Sequence, residues 1–214
     1  VKSVNSFDHT PQGAKRDSEY FRAVKGFDAR IGCNVTAIDR ASKKLTYVEN
    51  GETKELPYDV LVLGTGSTPV RLPLENADAK GIHSFWFPWD VHAVEAEIKE
   101  RNVTDVVIIG AGFIGLEAAE NLKAKGVTVT VIDFADQVLP EILDSEMANY
   151  VKKHLRNQGI RVLTGTKAEA ILGEDQVTGI RTSAGTLPCE LIIAAAGIRP
   201  NTAFLAESGI ELFK

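Results

Sequence analysis

The chain has 214 residues, 44% of them apolar and 25% charged, and carries a formal net charge of −5 at pH 7. This is the composition of a globular protein long enough to bury the core of one large domain or two small ones. An acidic balance without a Lys/Arg block argues against nucleic acid as a partner, because phosphate binding needs concentrated positive charge.

The longest apolar run, Val106 to Leu116, is too short and too rich in glycine to span a bilayer, so no membrane partner is expected. The polar start Val1-Lys2-Ser3 does not read as a secretory leader. Cys33 and Cys189 lie far apart without redox or metal-ligand spacing, which fits a reduced, cytoplasmic protein with structural cysteines. His9, His83, His92 and His154 show no ligand spacing either, so no metal site is expected.

In chain order, Asp17 to Val24 reads as a short helix, followed by β-like runs at 34–38, 45–48 and 55–56. Asn50-Gly51 between the last two is a hairpin signal. The continuous apolar run Asp59-Val60-Leu61-Val62-Leu63, ending in Gly64-Thr65-Gly66, has the pattern of a strand buried on both faces. Residues 68–84 show no period and read as a connection. Asp90 to Arg101 is a helix with Val91, Val94 and Ile98 at helical spacing. Strands and helices then alternate: 106–109, 112–125, 128–132, 144–158 and 160–163. Strict alternation of this kind makes a parallel sheet with helices on its faces. A β-rich stretch follows, at 168–172, 176–182, 186–187 and 191–195, punctuated by Gly173, Gly179 and Gly185 as a meander is.

Gly110-Ala111-Gly112-Phe113-Ile114-Gly115 matches GxGxxG. By itself that pattern is weak, but here it follows a buried strand, opens an apolar-faced helix and leads to a second strand ending at Asp133. Gly110 allows the tight turn, Gly112 lets the backbone approach a pyrophosphate, and Gly115 lets the helix pack on the sheet. The helix N-terminus then binds the anion. Asp133, 18 residues after Gly115, is placed to accept hydrogen bonds from both adenosine ribose hydroxyls and to repel a 2′-phosphate. Phe134-Ala135-Asp136-Gln137 contains no arginine to receive one, which favours NADH over NADPH. A purely structural glycine turn and a methyltransferase are the competing readings. A short-chain dehydrogenase drops out, since no tyrosine has a lysine four residues on.

Three further segments carry a family resemblance. Tyr58-Asp59-Val60-Leu61-Val62-Leu63-Gly64-Thr65-Gly66-Ser67-Thr68-Pro69 resembles a signature of two-dinucleotide flavoproteins. Val138-Leu139-Pro140, with Asp144 and Glu146 after it, is similar to the loop that follows their NADH-binding acid. Leu191 to Thr202, with Ala196-Gly197-Ile198-Arg199-Pro200-Asn201-Thr202, is similar to a third motif. In this order and spacing the chain resembles the FAD-dependent pyridine nucleotide–disulfide oxidoreductases, nearest to the NADH oxidase and coenzyme A-disulfide reductase branch.

The resemblance implies an α/β fold, a Rossmann-like parallel sheet with a β-meander, plus part of a second, FAD-binding domain. The expected division is residues 1–85 as partial FAD domain and 86–214 as NADH domain. It implies FAD and NADH as cofactors, with Gly110, Ala111, Gly112, Phe113, Ile114, Gly115, Asp133 and Gly197 on NADH, and Thr65, Gly66 and the backbone near Val35 on FAD. Phe113 and Glu117 would border the junction of nicotinamide and flavin. Phe113 and Val35 are also readable as plain core, Glu117 as a solvated charge, and Thr65-Gly66 as a strand-ending turn. No second GxGxxG and no reactive cysteine of the family pattern occurs in the sequence, so the expectation is an internal piece of a larger, homodimeric flavoprotein. Phe85-Trp86-Phe87-Pro88-Trp89 departs from the family pattern, either packing a domain junction or marking a surface. A non-catalytic NADH-sensing module is the alternative reading.

Overall fold

The computed structural model describes residues 8–206 and 208–212, so the polar start Val1-Lys2-Ser3 lies outside the described residues. The chain divides into two units, Val1–Ser67 with Pro200–Lys214, and Thr68–Arg199. The second takes in residues 68–85, which the sequence assigns to the first domain, and the first takes in residues 200–214, which the sequence assigns to the second.

In the first unit a short helix, α1 (Ser18–Tyr20), runs on into a π-helical turn, Phe21–Lys25. Asp17 caps it by accepting the Tyr20 N–H at 3.0 Å. Three strands form an antiparallel meander: β1 (Cys33–Asp39), β2 (Lys44–Glu49) and β3 (Glu52–Pro57). Asn50 and Gly51 have φ of 53° and 81°, the twist that suits a two-residue hairpin, and set Glu49 opposite Glu52. The expected strand at 59–63 is absent: Val60 and Val62 are 82% and 86% exposed, and the run pairs with no strand among the described residues. Apolar composition suits a buried strand, but without a neighbour on either edge its backbone has no ladder to join.

Strand β4 (Ser67–Pro69) pairs with Ile198–Pro200 in a separate two-stranded ribbon. In the second unit, β5 (Ile82–Ser84) leads through Phe85–Phe87 into α2 (Pro88–Arg101). Then come β6 (Asp105–Ile109), α3 (Phe113–Ala124), β7 (Thr128–Ile132), α4 (Ser145–Asn157) and β8 (Arg161–Leu163). The meander consists of β9 (Ala168–Leu172), β10 (Gly179–Thr182) and β11 (Gly185–Pro188), before β12 (Leu191–Ala194). The parallel sheet runs β5-β12-β6-β7-β8.

Two expectations change here. Ile82–Ser84, read as part of a connection, is an edge strand: three residues with one strongly apolar side chain are too few to show a period. Leu191–Ala194, read with the meander, belongs to the parallel sheet between β5 and β6. Its four consecutive apolar residues are the pattern of a strand covered on both faces.

That double covering divides the core by residue parity. Val106, Ile108, Val129, Val131, Leu191 and Ile193 pack under the helices with Val94, Leu116, Ala119 and Leu155. Val107, Ile109, Ile132 and Ile192 face the other way, against Ile171, Val177 and Ile180. Among the described residues no helix is long and apolar enough to cross a membrane.

Carboxylates tie the amino ends of the strands. Glu190 accepts hydrogen bonds from the Thr104 N–H at 2.6 Å and the Asp105 N–H at 3.3 Å, joining the start of β12 to that of β6. The Thr104 N–H, opposed by partial burial and helped by the Asp105 N–H, holds the Glu190 carboxyl below its ordinary value of 4.5. Burial pushes Glu97 up, but hydrogen bonds from His83 and Arg101 outweigh it and hold it low as well. Carboxyls depressed in the fold contribute stability that is present above their unfolded value and lost as pH falls through the folded one. Glu190→Ala should therefore cost about 1–2 kcal/mol in urea denaturation at neutral pH. Its difference from the wild type should shrink below about pH 4.5.

Candidate functional site

The turn between β6 and α3 is built from close backbone approaches. Gly110 has φ of +115°, and a Cβ there would stand 2.3 Å from the Ala195 carbonyl oxygen at the end of β12. Its N–H donates to Ile132 O at 2.8 Å. Gly115 is as constrained: a Cβ would fall 2.0 Å from Gly110 O, so the first turn of α3 lies directly on the glycine turn. Leu116, Ala118, Ala119 and Leu122 continue the buried face.

Gly112 differs from both. It caps α3 with φ of −81° and ψ of −176°, a conformation open to any residue, and a Cβ would meet nothing within 4 Å. The space over the helix N-terminus is open at this residue. The first N–H groups of a helix lack intrahelical partners, and the helix dipole adds positive potential there.

Asp133 lies one residue beyond β7 and is half-buried. Its Oδ2 accepts the Ala111 N–H at 2.6 Å and its Oδ1 the Ala135 N–H at 2.8 Å. Sequence reasoning gave this carboxylate only a ligand. The structure gives it a second task, holding the glycine turn against the end of β7. The buried Ala111 also accepts the Leu139 N–H at 3.0 Å. Each carboxylate oxygen has further lone-pair capacity for ribose hydroxyls.

Phe113 and Ile114 open α3 and are exposed, Phe113 at 59%, so the plain-core reading of Phe113 fails. Glu117, one turn on, is exposed too and shares a helix face with Phe113. Gly197 has φ of +98° with open space around it, and its carbonyl accepts the Val70 N–H at 3.0 Å. Thus Gly110 to Gly115 and Asp133 come together at the carboxyl ends of β6 and β7, and Ala195, two residues before Gly197, meets Gly110.

The other expected residues belong to the first unit. Val35 sits at a β-bulge in β1 and is exposed rather than core. Thr65 and Gly66 form an exposed turn that Asn201 fixes, its N–H donating to Gly66 O at 2.9 Å and its Nδ2 to Thr65 O at 3.0 Å. Asn201 is a positioning residue that the sequence signalled only as part of a motif.

Both cysteines are free. Burial pushes the Cys189 thiol up to about 12, which keeps it protonated and unreactive at neutral pH. Among the described residues no cluster of three or more His, Cys, Asp or Glu side chains is placed to hold a metal ion. In the unusual aromatic segment, Phe87 and Trp89 stack with ring centroids 4.4 Å apart. Asp90 Oδ2 fixes the turn by accepting the Trp86 and Phe87 N–H groups, both at 2.8 Å.

A parallel sheet with a glycine turn opening a helix at its carboxyl edge defines a dinucleotide-binding class of fold. Residues 2–214 match the pyridine nucleotide-disulphide oxidoreductase family, and the chain belongs to it. It is 33% identical to an NADH oxidase of Methanocaldococcus jannaschii over 99% of its own length and 47% of that protein. Among solved structures it resembles an NAD-dependent persulfide reductase from A. fulgidus, with a TM-score of 0.92 and 37% identity over 100% of this chain and 39% of that one. It also resembles the water-forming NADH oxidase of Lactobacillus brevis bound to NADH, with a TM-score of 0.73 and 28% identity over 81% of this chain and 38% of that one. The chain thus spans less than half the length of each of these relatives.

The glycines should separate in mutagenesis. Gly115→Ala should destabilise by about 1–3 kcal/mol through overpacking. Gly112→Val, a poorer helix cap in open space, should cost less than about 1 kcal/mol. Thermal and urea unfolding of the two variants measure the contrast.

Proposed function

We propose that the chain is the NADH-binding portion of an FAD-dependent oxidoreductase that passes hydride from NADH to FAD and on to a disulfide, oxygen or a protein acceptor. The observation that carries this reading is Gly112. Gly110 and Gly115 are required by backbone packing, whereas the fold makes no demand for a glycine at 112. A bare Cα at an open helix N-terminus suits a pyrophosphate that must approach the backbone.

On this reading the first-turn N–H groups of α3 hold the pyrophosphate, and Asp133 receives the ribose hydroxyls on its remaining lone pairs. The negative charge of Asp133, with no arginine at 134–137, disfavours a 2′-phosphate. Phe113 and Glu117 border the nicotinamide, with Gly197 near the cofactor. The NADH-binding unit is Thr68–Arg199, and the other unit is part of the FAD-binding domain. Thr65, Gly66 and the backbone near Val35 contact FAD; the exposed turn that Asn201 fixes is suited to this. Bound FAD supplies the hydride acceptor, while these residues bind and orient the two groups. The NADH in the Lactobacillus brevis oxidase supports the coenzyme assignment. No observation favours a non-catalytic NADH sensor.

Calorimetric titration with NADH and NADPH tests the proposal. Saturable NADH binding is expected, with NADPH on the order of tenfold weaker or worse, the scale of one lost charge-assisted contact. Gly112→Val should abolish NADH binding while leaving the unfolding midpoint nearly unchanged. Equal binding of the two coenzymes would refute the role of Asp133, and NADH binding retained in Gly112→Val would put the nucleotide elsewhere.

A further inference from the structure

Phe134 is 81% exposed, directly after the carboxylate assigned to the ribose. A lone exposed hydrophobic needs no explanation by itself. This one stands on a backbone that is fixed on both sides. Asp133 N–H donates to Leu163 O at 3.0 Å, and Thr166 N–H donates to Asp133 O at 2.7 Å. Gly165 N–H donates to Ala135 O at 2.7 Å, and the Asp133 carboxylate accepts the Ala135 N–H. The loop after β7 is thus stitched to the loop after β8, and the ring between them is held out toward solvent. Burying a Phe side chain stabilises a fold by roughly 1.5–3 kcal/mol, and the fold forgoes that here.

We infer that Phe134 is the stacking platform for the adenine ring of the dinucleotide. The inference rests on the reading of Gly110–Gly115 and Asp133 as an NADH site and deepens it. In adenosine the base is attached to C1′, next to the C2′ hydroxyl that Asp133 would hold, so the base must lie within reach of the residues around Asp133. Residues 134–137 offer it one aromatic face, at 134, with small or polar side chains after it. Asp136 is exposed, and the Gln137 amide is already engaged with Leu143 O at 2.7 Å. An aromatic face grips a base by its π-surface and is tolerant of the groups on the base edge. The site would therefore select for a planar purine without reading its exocyclic amine.

Coenzyme titrations of the purified protein test this with three probes: NADH, NADPH and the reduced hypoxanthine analogue of NADH. In Phe134→Ala the NADH dissociation constant should rise on the order of tenfold. The unfolding midpoint should hold, because the side chain is exposed. Phe134→Trp should restore affinity, and the wild type should bind the hypoxanthine analogue about as well as NADH. If the wild type binds NADH and Phe134→Ala binds it equally, the platform is refuted and the dinucleotide site stands. Equal weakening in Phe134→Ala and Phe134→Trp, or strong rejection of the hypoxanthine analogue, also overturns the platform. If the wild type binds neither NADH nor NADPH, the site reading fails and this inference falls with it.

Discussion

Helix α3 reaches the sheet only because Gly115 presents no side chain to the carbonyl of Gly110. The two residues are in such close approach that a single methyl group would have to displace backbone. That contact seats the first turn of α3 on the end of β6. Gly110 in turn accommodates the end of β12, and the Asp133 carboxylate draws Ala111 toward β7. Three strand ends thereby converge on one turn, and α3 starts from it. Small residues at 115, 118 and 119 then let the helix lie close along the sheet.

The two ends of the sheet are finished differently. At the amino ends, Glu190 accepts backbone N–H groups and Glu97 accepts from the Arg101 guanidinium, all of them partners within the chain itself. At the carboxyl ends the chain leaves an open helix N-terminus at Gly112, an exposed ring at Phe134 and an exposed face bearing Phe113 and Glu117. A parallel sheet concentrates such loops at one edge because every strand points the same way. The parity of the strand residues, helices on one side and meander on the other, gives that edge a rigid base.

Most of this was legible from periodicity and glycine spacing. Val106–Ile109 and Thr128–Ile132 announce themselves as strands because each is covered on both faces, and the turn between β6 and α3 needs Gly110 and Gly115 for steric reasons that their spacing displays. The failures are equally physical. Val60 to Leu63 has the composition of a buried strand, but composition does not supply neighbouring strands. Ile82–Ser84 is too short for a pattern, and its place is decided by its pairing with β12. Leu191–Ala194 follows the meander in sequence but joins the sheet, a non-local choice that no local window contains. The hydrogen bonds from Ala111 and Ala135 to Asp133 were not legible either, since they depend on where the glycine turn comes to rest. The same holds for the clamp of Asn201 on the turn at Thr65-Gly66, which joins residues far apart in sequence.

If Asp133 receives the ribose as proposed, it ties coenzyme preference to the integrity of the fold, because the same carboxylate holds the glycine turn. A site that accepted a 2′-phosphate would have to lose this charge and gain a cation, and position 134 is the adjacent place for one. Losing the carboxylate would leave the Ala111 and Ala135 N–H groups without their acceptor, the first of them inside the glycine turn. An unsatisfied, partly buried N–H costs about 1–3 kcal/mol, comparable to the discrimination it would replace. Placing the cation at 134 would remove the aromatic ring in the same step. On the proposed reading, a preference for an unphosphorylated ribose would be built into the backbone of the turn, and reversing it would mean rebuilding the turn as well as exchanging a charge.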